Sequence, residues 1–167
     1  MLKPQDLLVA LKLLTAAEED RTFPRLAAAL GMSASEVHAS VKRAVASGLV
    51  NPEARTARKA ALLEFLVHGV RYVFPPERTG VTRGVPTSHA APPLSSHFAT
   101  DDLPPVWPHA DGKSRGEGLA PLYRSAPEAA LRDPQLYELL VLVDAMRAGR
   151  ARERKLASDE LGRRLTG

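Results

Sequence analysis

Residues 22–50 read TFPRLAAALGMSASEVHASVKRAVASGLV, and this stretch decides the fold that the sequence predicts. Its first part predicts a short helix with one apolar face, formed by Leu26, Ala27 and Leu30. Gly31 follows where a helix ends, because a residue without Cβ adopts a left-handed backbone most easily. Ser33 and Glu36 have the S-x-x-E spacing of a capping box, which marks the start of a second helix. The pattern predicts two short helices joined by a tight turn.

The second helix, expected over residues 34–47, has two different faces. An inward stripe at helical spacing contains Val37, Val41, Ala44 and Val45. The opposite face carries small or polar side chains, namely Ser35, Glu36, His38, Ala39, Lys42 and Arg43. A helix that is buried on one side and open on the other is the element that a helix-turn-helix unit inserts into the DNA major groove.

This stretch resembles the recognition-helix region of winged helix-turn-helix regulators of the multiple-antibiotic-resistance (MarR) type. Those regulators typically show L-A-x-x-L-G-L-S-x-S-x-V and a later G-L-V. The matching positions are Leu26, Ala27, Leu30, Gly31, Ser33, Ser35, Val37, Gly48, Leu49 and Val50. The resemblance covers less than a fifth of the 167 residues, and Ala39 stands where such regulators often carry Arg. It implies a winged-helix fold that binds DNA.

Composition limits the classes of protein that this chain can belong to. Hydrophobic residues make up 44% of the chain, which is enough for a globular core, and no run approaches the roughly 20 apolar residues of a membrane span. The absence of cysteine excludes disulfides, thiolate zinc sites and a Cys nucleophile. The first residues, MLKPQDLLVALKLL, lack a small-residue cleavage site and predict an amphipathic helix rather than a signal peptide. We therefore expect a cytoplasmic protein.

The net charge of +4 is unevenly distributed. Residues 1–54 carry six basic and six acidic side chains, whereas residues 55–90 carry six basic and only two acidic ones. Positive charge thus follows directly after the two short helices, where a surface that grips DNA phosphates is expected. Because the excess is modest, we expect the protein to bind DNA as a homodimer, which doubles the charged patch.

The segments around the central stretch predict further helices and one hairpin. Pro4 starts a scaffold helix that runs to about Ala17, and residues 56–68 predict a helix that either completes the monomer core or forms a dimer interface. No hairpin is expected directly after Val50. Instead, residues 70–74 and 81–85 predict two strands of a displaced wing. The wing contains Arg71, Arg78 and Arg83. These arginines either contact DNA phosphates and the minor groove or are solvated side chains of an ordinary hairpin.

The last half of the chain divides into a Pro-rich segment and a helical end. Residues 86–127 show neither helical nor strand periodicity, so they predict a flexible linker or, as we favour, an extended arm that docks through its large apolar side chains. Asp133 and Pro134 predict the N-cap and first residue of an apolar helix. After Gly149, residues 150–165 predict a charged helix that is either a solvated tail or an additional DNA contact.

The sequence contains no recognisable motif for a catalytic site or a metal site. The Pro-rich segment contains three histidines and three aspartates, but their spacing matches no metal motif: His89, His97, His109, Asp101, Asp102 and Asp111. A catalytic triad is recognised by geometry and not by order in the chain, and no nucleophile is singled out by its neighbours. We expect no metal, no cofactor and no enzymatic activity.

The sequence therefore predicts a mainly α protein with three parts. These are a winged helix-turn-helix domain with a small β-hairpin wing at residues 1–87, a Pro-rich arm or linker at 88–130, and a C-terminal helical region at 131–167. The expected function is a transcriptional regulator that binds double-stranded DNA sequence-specifically as a homodimer. The predicted DNA-binding residues are Ser33, Ser35, Glu36, His38, Lys42, Arg43, Arg71, Arg78 and Arg83. An alternative is a winged-helix module, or an antitoxin-like regulator, that binds a partner protein.

Overall fold

The computed structural model describes residues 1–166, which form a mixed α/β protein with eight helices and one small sheet of three strands. The helices are α1 (Pro4–Thr15), α2 (Phe23–Leu30), α3 (Ala34–Ala46), α4 (Lys59–His68), α5 (Val70–Val73), α6 (Ala126–Arg132), α7 (Pro134–Ala148) and α8 (Ala151–Thr166). The strands are β1 (Arg78–Pro86), β2 (Pro105–Pro108) and β3 (Ser114–Leu119). Among these residues, no helix has the length and apolarity that a membrane span requires.

The chain folds into two compact units, and each unit is built from two separate stretches of the sequence. The first unit contains residues Met1–Leu62 and Leu122–Tyr137, and the second contains Leu63–Pro121 and residues 138–166. The chain passes from one unit to the other within α4, before α6 and within α7. This division differs from the three consecutive segments 1–87, 88–130 and 131–167 that the sequence predicts, because α6 belongs with the N-terminal helices.

The first unit is built on α1, whose leucines lie in the core against α2 and α3. Thr22 caps α2 by accepting a hydrogen bond from the Arg25 amide, and Gly31 ends that helix with a φ of 66°. The Ser33 hydroxyl caps α3 by accepting from the Glu36 amide at 3.1 Å. The two helices and the tight turn between them are therefore confirmed, together with the Ser33 cap and the helix end at Gly31.

A short hairpin follows α3 directly, although none is predicted there from the sequence. Val50 and Ala57 form an isolated antiparallel bridge, flanked by a hydrogen bond of 2.7 Å from the Arg58 amide to the Leu49 carbonyl. Arg55 lies in the connecting turn with a φ of 48°. The predicted start of the next helix at residue 56 was consequently wrong, since α4 begins at Lys59.

The second unit contains a small closed sheet of three strands. β1 pairs antiparallel with β2 and with β3, and β2 and β3 pair in parallel through Val106 and Gly118. The predicted strand at 81–85 is confirmed within β1, but the predicted wing hairpin was wrong, because residues 70–73 form α5 and both partners of β1 come from the Pro-rich segment. For the same reason, the arm or linker predicted at 88–130 is replaced by strands and by α6. Trp107, 1% exposed, lies in the core of this unit.

Glycine makes the closed sheet possible where strands approach most closely. A Cβ on Gly116 would overlap the carbonyl oxygen of Pro104, and a Cβ on Gly84 would overlap that of Trp107. Only a residue without a side chain can occupy these two positions at this strand spacing. The Pro- and Gly-rich composition, which resembled that of a linker, is thus a requirement of tight strand packing.

A buried ion pair joins α7 to the sheet. Asp144, 1% exposed, accepts hydrogen bonds from the Thr87 hydroxyl and the Trp107 indole, both at 2.7 Å, and from Arg147 at 2.9 Å. Arg147 also donates to the Phe74 carbonyl at 2.8 Å. Burial raises the pKa of Asp144, while Arg147 and the two neutral donors oppose that rise. One carboxylate thereby connects α7 with β2 and with the segments that flank β1.

The C-terminal helices follow the predicted pattern. Asp133 caps α7 by accepting a hydrogen bond from the Leu136 amide at 3.2 Å, and Pro134 is the first residue of that helix. After Gly149, α8 begins at Ala151, and its Leu161 and Leu165 side chains are buried. The predicted helix is confirmed. It is not a fully solvated tail, because these two leucines are buried.

Candidate nucleic-acid interface

The exposed face of α3 brings together four of the predicted DNA-binding residues. Ser33 and Ser35 lie exposed at its N-terminus, with their hydroxyl oxygens 3.4 Å apart. His38 and Lys42 are exposed one and two turns further along the helix. Their spacing of four residues places them on the same side of the helix. The opposite side, which contains Val37, Val41 and Ala44, is buried in the first unit.

An aromatic stack connects α3 with the short hairpin. The Phe23 ring meets the His38 ring edge to face, with centroids 5.0 Å apart. The Arg55 guanidinium lies 3.8 Å from the centroid of Phe23, and its Nη1 donates to the Arg21 carbonyl at 3.0 Å. Arg55 is therefore held at the edge of the surface that His38 and Lys42 form. A guanidinium over an aromatic ring is a recurrent and favourable arrangement.

Arg55 and Arg58 are the functional candidates that the sequence reasoning missed. Both belong to the hairpin after α3, and the Arg58 guanidinium lies beside Gly48 at the C-terminal end of that helix. The signal that could have found them is the excess of basic residues that begins at residue 55. Because no hairpin was expected there, that charge was assigned to the arginines further along the chain.

Arg43 lies on α3 but points its guanidinium at α1. Its Nε lies 2.9 Å from Oδ2 of Asp6, and its Nη2 lies 2.9 Å from Oδ1. The hydrogen bonds to Asp6 raise the pKa of Arg43, with burial acting in the opposite direction. Two of its three guanidinium nitrogens are thus occupied within the protein, which makes Arg43 a tie between two helices.

Glu36 is held by the segment that leads into α6. The Tyr123 hydroxyl donates to its carboxylate at 3.3 Å, and Arg124 lies 3.8 Å from the same oxygen. Burial and then the nearby Glu36 charge raise the pKa of Tyr123. The predicted capping box is therefore formed only in part, because Ser33 caps the Glu36 amide while the Glu36 carboxylate engages Tyr123.

The three remaining predicted arginines belong to the second unit, one on α5 and two on β1. Arg71 is on α5, with its guanidinium 5.3 Å from the Tyr72 ring centroid. Arg78 opens β1 and donates to the Ala148 carbonyl at 3.4 Å, and Arg83 is exposed further along the same strand. They do not form the hairpin wing that the sequence predicted.

The histidines of the Pro-rich segment are dispersed in the second unit. His89 contacts two carboxylates, with Nε2 2.5 Å from Asp101 and Nδ1 3.3 Å from Glu153. His109 instead accepts a hydrogen bond from the Asp111 amide. Within residues 1–166, no group of three or more metal-binding side chains comes together.

Comparisons with family models, with curated proteins and with solved structures found no match to this chain. Its function therefore has to be inferred from the arrangement of its own residues. In the first unit, that arrangement combines a half-exposed helix with basic side chains at its exposed face and edge.

Proposed function

We propose that the first unit binds double-stranded DNA by placing the exposed face of α3 in the major groove. The observation that carries this proposal is the position of Lys42 and His38 on one open face of a helix whose other face is buried. With 13 residues, α3 is about 20 Å long, a length that fits along the groove. The function would be that of a DNA-binding transcriptional regulator.

Different residues would make different kinds of contact. The Ser33 and Ser35 hydroxyls lie at the N-terminus of α3, where free amides and the helix dipole favour a phosphate. His38 and Lys42 face outward from the middle of the helix, where base edges and phosphates are both within reach. Arg55 and Arg58 would grip the flanking backbone from the hairpin. Phosphate contacts of this kind supply affinity, and base contacts supply sequence preference.

Charge around α3 supports binding by this face. Lys42 and Arg58 make no ion pair with any residue from 1 to 166, so their charge is available to a phosphate. Arg25, by contrast, is paired with Asp20 at 2.8 Å. Because one chain offers few unpaired cations, we propose that two copies act together on one DNA site.

Selection from a random pool of DNA duplexes, followed by fluorescence anisotropy with a selected sequence, tests the proposal. We expect enrichment of a sequence with two-fold symmetry and an affinity that falls steeply as salt rises. Lys42→Ala should weaken binding, whereas Lys155→Ala, which removes an exposed lysine of α8, should not. If no sequence is enriched and anisotropy does not change at low salt, the proposal is wrong.

A second candidate function is the docking of a partner protein. Tyr72 and Val73 are adjacent on α5, and 75% and 51% of their surfaces are exposed. Large apolar side chains that are exposed side by side are a common feature of interaction surfaces. Size-exclusion chromatography with light scattering measures the mass of the particle that the chain forms. A mass above that of one chain, which falls in the Tyr72→Ser variant, would support association through this surface. A mass of one chain in both proteins would count against it.

A further inference from the structure

A cleft in the second unit has the size of a small-molecule site. Its volume is about 540 Å³, within the range of ligand pockets in proteins. It lies between the start of β1, the turn at Ser88, the loop of residues 98–103, β3 and the junction of α7 with α8. All of these segments belong to the same compact unit.

Negative charge predominates among the side chains that line the cleft. Four carboxylates face two guanidinium groups, those of Arg78 and Arg150. The carboxylates are Asp101, Asp102, Glu117 and Glu153. Those of Asp102 and Glu117 make neither a hydrogen bond nor an ion pair with any other residue that the structure describes. Their charge is therefore available to a positively charged ligand.

A buried serine in the wall of the cleft has no hydrogen-bond partner. Ser88 is 3% exposed, and its hydroxyl makes no hydrogen bond with any group within residues 1–166. The neighbouring His89 is already engaged, because its Nε2 lies 2.5 Å from Asp101 and its Nδ1 lies 3.3 Å from Glu153. Buried polar side chains are normally satisfied, so the Ser88 hydroxyl is the group in this wall that a bound molecule can satisfy. This observation is independent of the carboxylates.

The backbone at Ser88 shows that the turn is held in an unfavourable conformation. Its φ of 54° is uncommon for a residue with a side chain. Such conformations are found mostly at functional sites, where the surrounding structure maintains them. Here the neighbouring Thr87 hydroxyl is fixed by Asp144, which keeps the turn in place. Ser88 is thereby held in the wall of the cleft.

An apolar wall completes the cleft. Phe98, Leu103 and Leu119 are among the side chains that line it. The Arg152 guanidinium already lies 5.0 Å from the Phe98 ring centroid, so this ring accepts a cation from the chain itself. A methylene chain can pack against these side chains while a charged end reaches the carboxylates.

We propose that this cleft binds a small organic cation, an amine or guanidine compound with a short hydrocarbon chain. Asp102 and Glu117 would pair with the cationic groups, and the Ser88 hydroxyl would hydrogen-bond to the N–H group nearest the turn. An anion is disfavoured because the cleft carries an excess of carboxylates over guanidinium groups. The site lies in the second unit, so it does not depend on the DNA-binding proposal for α3.

Isothermal titration calorimetry of the full-length chain tests this proposal, with putrescine and agmatine as probes. Butane-1,4-diol and succinate serve as matched neutral and anionic controls. We expect saturable heat with at least one of the two cations, weakened by salt, and none with the controls. Binding of succinate, or the absence of heat with both cations, would overturn the proposal.

Variants then locate the binding. The double variant Asp102→Asn, Glu117→Gln should weaken cation binding at least tenfold, and Ser88→Ala should weaken it several-fold. Asp159→Asn removes a carboxylate that pairs with Lys155 outside the cleft and should leave the affinity unchanged. Unchanged circular dichroism and Trp107 fluorescence show that each variant is folded. Equal loss in the Asp159 variant, or undiminished binding in the double variant, would contradict this site.

Discussion

Arg43 and Asp6 form a bidentate ion pair that joins α3 to α1, with Nη2 2.9 Å from Oδ1 and Nε 2.9 Å from Oδ2. Asp6 is completely buried and also accepts a hydrogen bond from the Lys3 amide at 2.7 Å. Removing the guanidinium leaves a buried carboxylate without a counter-ion. Arg43→Ala should therefore lower the free energy of unfolding by about 3–5 kcal/mol, the usual cost of breaking such a pair. Urea unfolding followed by circular dichroism measures this change.

Lys42→Ala is the matched control for that variant, because Lys42 is the neighbouring cation on α3 and is exposed. Its effect on stability should stay within about 0.5 kcal/mol. The double variant Asp6→Leu, Arg43→Met should recover much of the lost stability, since it removes both charges together. If Arg43→Ala were no more destabilising than Lys42→Ala, the ion pair would not hold the helices together.

DNA binding should respond to Lys42 and Arg55 through its salt dependence. Each cation that contacts a phosphate contributes close to one to the slope of log affinity against log salt. Lys42→Ala and Arg55→Ala should each lower that slope by about one for every chain bound. Anisotropy titrations over a range of salt concentrations measure it, and both variants must first show wild-type stability. A slope that stays the same in both variants would remove these residues from the interface.

The Asp144 network should determine the stability of the second unit. Asp144→Asn leaves Arg147 buried without a counter-charge, which should cost about 3–5 kcal/mol. Thr87→Val removes a single donor at constant shape and should cost about 1–3 kcal/mol. Trp107 is the only tryptophan of the chain, so its fluorescence during urea unfolding reports on this unit. Thr82→Val, at a partly exposed position of β1, provides the comparison and should change stability little.

Two glycines should respond in opposite ways to the same substitution. Gly116→Ala places a methyl group on the Pro104 carbonyl and should destabilise the closed sheet by about 1–3 kcal/mol or more. Gly162 lies within α8, and apart from the backbone of its own helix no heavy atom comes within 4 Å of an added Cβ, so Gly162→Ala should stabilise by about 0.5–1 kcal/mol. Thermal unfolding of the two variants side by side tests this. A neutral Gly116→Ala would mean that the strands can separate at low cost.

The sequence predicted the elements that local signals determine. Ser33 and Asp133 cap helices where the capping rules placed them, and Gly31 ends α2 as expected. These signals operate within a few residues and do not require knowledge of the remaining chain. The helical spacing of apolar residues in α3 also predicted its exposed face, which is about half of the candidate site.

Contacts between distant residues could not be predicted in this way. β2 is only four residues long, Pro105–Pro108, and it pairs in parallel with β3, so no alternation or turn signal marks it. The β-branched run at residues 70–73 forms α5, because tertiary packing overrides a local preference. Similarly, Asp6 lies 37 residues before Arg43, and nothing in the sequence joins them.

Asp133 provides a prediction about pH in the first unit. Lys12 Nζ lies 2.7 Å from its carboxylate. Burial is the largest single influence on the pKa of Asp133 and acts to raise it, but the hydrogen bond and charge of Lys12, together with the backbone amides of Leu136 and Gln135, outweigh burial and lower the pKa. A carboxyl group whose pKa is lower in the folded protein stabilises the fold above its unfolded pKa of about 3.9. That contribution disappears as the pH falls through the lower folded pKa. Asp133→Asn should therefore lower the free energy of unfolding at pH 7, and the difference from the wild type should shrink below about pH 4.

Asparagine is chosen because it also caps helices, so the variant keeps the cap on α7 and loses only the charge next to Lys12. The loss at pH 7 should be about 1–3 kcal/mol, as for a hydrogen bond to a charged group. Asp159→Asn removes an exposed partner of Lys155 instead and should change stability by less than about 1 kcal/mol at any pH. Urea unfolding at pH 7, 4.5 and 3 separates these cases. A loss of equal size at pH 7 and pH 3 would show that Asp133 acts through packing and not through its charge.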